Sequence, residues 1–77
     1  MATKTIKIGQ YSSLDLEYIG EDGLWELVFD HGMELEVNEL KVLNREGLIY
    51  HSEQTCVDYE NEDGTVDYMN IYYFSQK

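Results

Sequence analysis

The sequence predicts a mainly β fold: a small antiparallel sheet, or a partly open barrel, of five to six strands with at most one short helix. Three observations carry that expectation. Several segments alternate apolar and polar residues at the two-residue period of a strand. Six glycines divide the 77-residue chain into short pieces that suit hairpins, and no proline occurs anywhere. The alternative is an α+β domain in which residues 38–52 are largely helical.

In chain order, Ile6 and Ile8 share one face with Lys7 between them, and Leu14-Asp15-Leu16-Glu17-Tyr18 alternates apolar with acidic; both read as half-buried strands. Gly20-Glu21-Asp22-Gly23 is a turn signal. The nearly all-apolar run that follows, residues 24–29 with Trp25, is the candidate central strand. Asp30-His31-Gly32 then leads into Met33-Glu34-Leu35-Glu36-Val37, whose alternation predicts that residues 24–37 form a hairpin. Residues 38–47 read either as a short helix or, with Asn44-Arg45-Glu46-Gly47 as the turn, as another hairpin, and the helix is the preferred reading. Asn38 is its cap, Val37 and Val42 form a hydrophobic staple, Leu40 and Leu43 share a buried face, and Gly47 sits at the C′ position. Residues 48–60 and 65–74 form a C-terminal hairpin around Asn61-Glu62-Asp63-Gly64. A four-residue loop pairs Tyr59 with Val66 and Val57 with Tyr68, but it sets Asp58 against Asp67, which is unfavourable. The last strand has apolar groups on both faces, so it is either central or half exposed for a partner.

No linker or repeat interrupts the chain, and residues 1–77 read as a single acidic domain. A chain this short buries only about 60% of its unfolded surface, so a partner or second copy is expected to supply part of the stability. Cys56 is the one cysteine, which rules out an intramolecular disulfide and points to a reducing, cytoplasmic setting. No segment approaches the roughly 20 apolar residues of a membrane-spanning helix, and no membrane partner is expected.

Sixteen Asp and Glu against five Lys and Arg give a formal net charge of −11. Such a chain repels phosphates, so direct nucleic-acid binding is not expected. The excess acid reads equally as a means of keeping a small protein soluble, for which net charges of magnitude about 2–8 already serve, and as complementary to a basic partner. Enzymatic patterns are weak. Cys56 with His51 is the nearest approach to a nucleophile and base, but a packed thiol and a surface histidine explain both. There is no phosphate loop and no zinc spacing. The Asp58-to-Gly64 run fails the calcium-loop register, because position 1 is Tyr59 and position 12 is Asn70. Neither an enzyme nor a metal or organic cofactor is expected.

What remains is acid in patterned positions. Asp15 with Glu17, Glu34 with Glu36, and Asp58 with Glu60 sit two residues apart, which on a strand places each pair on one face at roughly 6.6 Å. Ladders of this kind suit a groove whose Lys and Arg await phosphates. Seven tyrosines accompany them, of which about four fit inside so small a core. The candidate partner-binding residues are therefore Asp15, Glu17, Glu34, Glu36, Asp58, Glu60, Glu62 and Asp63, with Tyr59 and Tyr68 as aromatic anchors. The expected function is a non-enzymatic inhibitor or modulator covering the basic surface of a nucleic-acid-handling enzyme. Anti-CRISPR, antirestriction and nuclease-immunity proteins are analogous in size and charge alone. The alternative is an assembly module that forms a homodimer or docks on a larger subunit through its last strand.

Overall fold

In a computed structural model, which describes residues 2–77, the protein is mainly β: five antiparallel strands in one open sheet with a single short helix. The strands are β1 (Thr3–Lys7), β2 (Ser13–Ile19), β3 (Leu24–Phe29), β4 (Leu48–Glu60) and β5 (Val66–Gln76), and the helix α1 (Val37–Arg45) lies between β3 and β4 in the chain. Across the sheet the order is β1-β2-β3-β5-β4. The apolar run Leu24–Phe29 is indeed central, and β5 takes the place beside it, with Leu24 opposite Ser75 and Phe29 opposite Asn70. β5 buries Tyr72 and Phe74 on the helix side and Ile71 on the other side.

One face of the sheet lies beneath α1. Ile6, Leu14, Leu16, Leu27, Tyr72 and Phe74 point there and meet Leu43 of the helix and Leu48, the first residue of β4, in one buried cluster. The helix contributes through its spacing. Leu40 and Leu43 are three residues apart and face the sheet, while the opposite side of the helix is solvated. Gly47 ends it at φ 84°, in the left-handed region where glycine is favoured. Aromatic pairs border the cluster: Phe29 meets Tyr72 edge-on at 5.7 Å and Tyr50 meets Phe74 at 6.3 Å.

Three details differ from the sequence-based expectation. Residues 33–37 are not a strand. Met33 and Val37 are 61% and 70% exposed, so of the alternating apolar residues only Leu35 packs against the core. The segment is held instead by long-range bonds. Gly32 N–H donates to the Tyr68 carbonyl at 2.7 Å, Asn70 Nδ2 donates to the Met33 carbonyl at 2.7 Å, and Leu35 N–H donates to the Tyr72 hydroxyl at 3.0 Å. The helix also begins earlier than Asn38. Glu36 is its N-cap, and the Glu39 carboxylate accepts the Glu36 N–H at 2.9 Å, as in a capping box. The staple positions are thus Leu35 and Leu40, both packed against the core, and exposed Val37 has no such role.

The third difference is in the C-terminal hairpin. Val57 faces Tyr68 as expected, but Tyr59 faces Asp67 and Glu60 faces Val66, with a register shift between Val57 and Tyr59. Asp58 is therefore bulged out of the ladder. The bulge removes the Asp58–Asp67 opposition that an unbroken register would have imposed. The connection runs over five residues, since Asn61 N–H bonds the Thr65 carbonyl at 2.8 Å.

Two substitutions test this account. Tyr72→Phe keeps the ring in the core and removes the hydroxyl that receives Leu35 N–H. It should cost about 1 kcal/mol in denaturant unfolding and speed amide exchange at Leu35. Gly47→Ala places a Cβ 2.8 Å from Gln76 Nε2 at a positive φ. The amide of Gln76 can move aside, but the backbone strain stays, so a loss of more than about 1 kcal/mol is expected.

Candidate protein-binding site

The ten residues predicted to bind a partner fall into three places. Asp15 and Glu17 lie side by side on β2, exposed on the face of the sheet away from α1, and they form the ladder that the strand period demands. Asp15 also receives a 2.7 Å hydrogen bond from Thr5 Oγ1 across the β1–β2 ladder. Glu34 and Glu36 are not on a strand. Glu34 lies in the connection before the helix and Glu36 caps α1, so this pair makes no ladder. The other six, Asp58, Tyr59, Glu60, Glu62, Asp63 and Tyr68, come together on the β4–β5 hairpin.

This hairpin is an arm. β3 pairs with β5 no further than Asn70, so beyond that point β4 and β5 form a two-stranded ribbon. Thirteen residues of β4 make twelve steps of about 3.3 Å, roughly 40 Å, which is most of the 43 Å long dimension of the molecule. Within residues 56–69 stand Asp58, Glu60, Glu62, Asp63 and Asp67, with no lysine or arginine. Large apolar surface is exposed beside these acids: Val57 is 53%, Tyr59 59% and Tyr68 49% accessible. Tyr59 and Tyr68 sit on opposite faces of the ribbon, because Tyr59 faces Asp67 and Tyr68 faces Val57 in adjacent ladder positions.

The tip is ordered by its own side chains. Asp63 accepts hydrogen bonds from Thr65 N–H at 3.0 Å and Thr65 Oγ1 at 2.7 Å, and Asn61 Nδ2 donates to Thr65 Oγ1 at 3.0 Å. Gly64 turns the chain at φ 91°. The bonds from Thr65 hold the Asp63 carboxyl below the ordinary aspartate value. At the base, Thr55 Oγ1 donates to Asn70 Oδ1 at 2.7 Å, and the Gly32 and Asn70 bonds tie the arm to the helix connection. The backbone of the arm is thus tied at both ends, and of its carboxylates Asp63 is held by hydrogen bonds.

Sequence reasoning missed Glu26. It sits within the apolar run of β3, the candidate central strand, yet in register it lies directly opposite Glu17 on the uncovered face. Tyr73 is its neighbour on the other side, and its phenol is raised above the ordinary tyrosine value by burial first and then by the Glu26 carboxylate. The tyrosines are also more exposed than expected. Tyr72 is the one buried, Tyr73 is half-buried, and Tyr11, Tyr18, Tyr50, Tyr59 and Tyr68 are exposed.

The catalytic pairing considered from sequence is not made. His51 Nδ1 is 2.9 Å from Ser52 Oγ, while Cys56 lies five residues along the same strand, about 16 Å away. Among the described residues, no three His, Cys, Asp or Glu side chains converge as metal ligands, and no helix is long and apolar enough to cross a membrane. No protein-family model matches the chain, and no curated protein or solved structure does either.

The tip's electrostatics have a measurable sign. A lowered carboxyl stabilises the folded form above the unfolded aspartate value, and that contribution is lost as pH falls through the lowered one. In an NMR titration, the Thr65 amide should shift with a midpoint below the ordinary 3.8. The step should vanish in Asp63→Ala.

Proposed function

We propose that the protein is a non-enzymatic inhibitor or modulator that lays its acidic arm in the basic nucleic-acid-binding surface of a partner protein. The observation that carries this reading is the arm itself: a ribbon with five carboxylates, no cation, and three large apolar side chains in solvent. A solvated hairpin has no need of Val57, Tyr59 and Tyr68 outside the core. At an interface they become anchors, with arginines of the partner stacking on the rings and pairing with the acids. Asp58, thrown out of the ladder, and Glu62 and Asp63, at the tip, stand clear of neighbouring strands and can approach a groove first. Long-range attraction from the net charge of −11 would speed the encounter.

Assembly through the last strand is the competing reading. From Asn70 to Ser75 both edges of β5 are occupied, by β3 and β4, so pairing with another chain through backbone bonds falls to the outer edges of β4 and β1 or to the stretch of β5 before Asn70. Salt separates the two readings. Apolar self-association persists at high ionic strength, whereas acidic-to-basic attraction fades.

The experiment is capture of partners from a lysate of the native cells, with wild type and with the double charge reversal Asp58→Lys, Glu60→Lys as baits. A nucleic-acid-handling protein that is released by salt, competed by DNA or RNA, and bound about tenfold more weakly by the variant would support the proposal. Equal binding by both baits, or recovery of only the chain itself in a salt-resistant form, would overturn it.

A further inference from the structure

The face of the sheet opposite α1 is a second unpartnered surface, and its rows can be followed strand to strand. One row is Ile19, Leu24, Ser75 and Ile49. The next is Thr3, Glu17, Glu26, Tyr73 and Ser52, and the one after it holds Val28, Ile71 and Gln54. Apolar side chains of β3 and β5, Leu24 on one side and Val28 and Ile71 on the other, thus flank a row in which two carboxylates stand directly opposite each other, an arrangement that destabilises an isolated sheet. Tyr73 is fixed beside them by a 2.8 Å hydrogen bond from Gln54 Nε2 to its hydroxyl. On one side of Tyr73 is an open cleft of about 550 Å³, whose walls include Ile19, Leu24 and Asp22.

Resting on the proposed function, we infer that this face is a second contact for the same basic partner and that it seats an arginine side chain. The stem lies along Ile19 and Leu24, and the guanidinium stacks on Tyr73 between Asp22 and Glu26. A planar guanidinium suits the site better than an ammonium, because it stacks on a ring and forks to carboxylates at once. Charge complementarity also decides against a second copy. Packing this face on its own two-fold mate would bring Asp15, Glu17 and Glu26 near the same residues of the mate, three carboxylates against Lys7, the one lysine that the described strands place on this face. A partner cation instead relieves the Glu17–Glu26 opposition, so the two carboxylates lower stability in the free protein and are satisfied in the complex.

The test titrates isotope-labelled protein with hexa-arginine and with hexa-lysine at low salt, following backbone amides by NMR. Hexa-arginine should shift Leu24, Glu26 and Tyr73 and bind about fivefold tighter than hexa-lysine, the equivalent of ~1 kcal/mol. Tyr73→Leu should abolish that preference. Glu26→Gln should weaken hexa-arginine binding while raising the melting temperature of the free protein, a combination that a purely structural role would not give. Shifts confined to residues 56–69 would overturn the inference and leave the arm as the binding surface. Shifts at neither surface would overturn both. A salt-resistant dimer in which these same amides change would assign the face to a second copy and overturn it as well.

Discussion

Everything in this molecule depends on the antiparallel pairing of β3 with β5. The two strands are far apart in the chain, yet Leu27 meets Tyr72 and Trp25 meets Phe74 across one ladder. That ladder joins a local meander, β1 to β3, to a local hairpin, β4 with β5, and its helix-side residues form the middle of the core. The ordering cost of bringing such distant segments together is met mainly by apolar burial at Leu27, Tyr72 and Phe74 together with Leu43 of the helix. Because β5 is drawn into the centre, β4 is left at the edge, and the distal hairpin extends past the end of β3 as an arm. The location of the acidic ribbon is thus a consequence of strand order.

The features legible in the sequence were those set by neighbours a few residues apart. The alternation in β2, the apolar run of β3, the Leu40 and Leu43 spacing and the Gly47 helix end are all local, and they are found in the structure as read. Residues 33–37 were misread because their alternation is genuine while their partners are distant. Asn70 and Tyr72, more than thirty positions away, take up the backbone groups a second strand would have paired. A capping acid was equally hard to see, since Glu36 belongs to the alternating pattern as well as to the Glu36–Glu39 box.

The same division holds for the candidate surfaces. The hairpin cluster was visible because its residues are contiguous. Glu26 was not, since its importance comes from standing opposite Glu17 and beside Tyr73, which is a matter of register between strands. The Asp58 bulge combines both. The sequence shows that two aspartates would clash in an unbroken ladder, and the structure relieves the clash by displacing one residue.

The outer edge of β4 leaves a long row of backbone donors and acceptors without partners, the kind of template on which chains of any origin can stack into fibres. Its two register breaks, at Tyr50/Ser52 and Val57/Tyr59, divide that row so that the regular stretch between them runs only from Ser52 to Val57. A segment of that size is about the minimum that stacks into a dry zipper. Glu53 lies within it and Asp58 just past its end, so stacked copies would align carboxylates at every layer. The bulge that lifts Asp58 out of the ladder therefore also guards the protein against amyloid-like growth along its own edge.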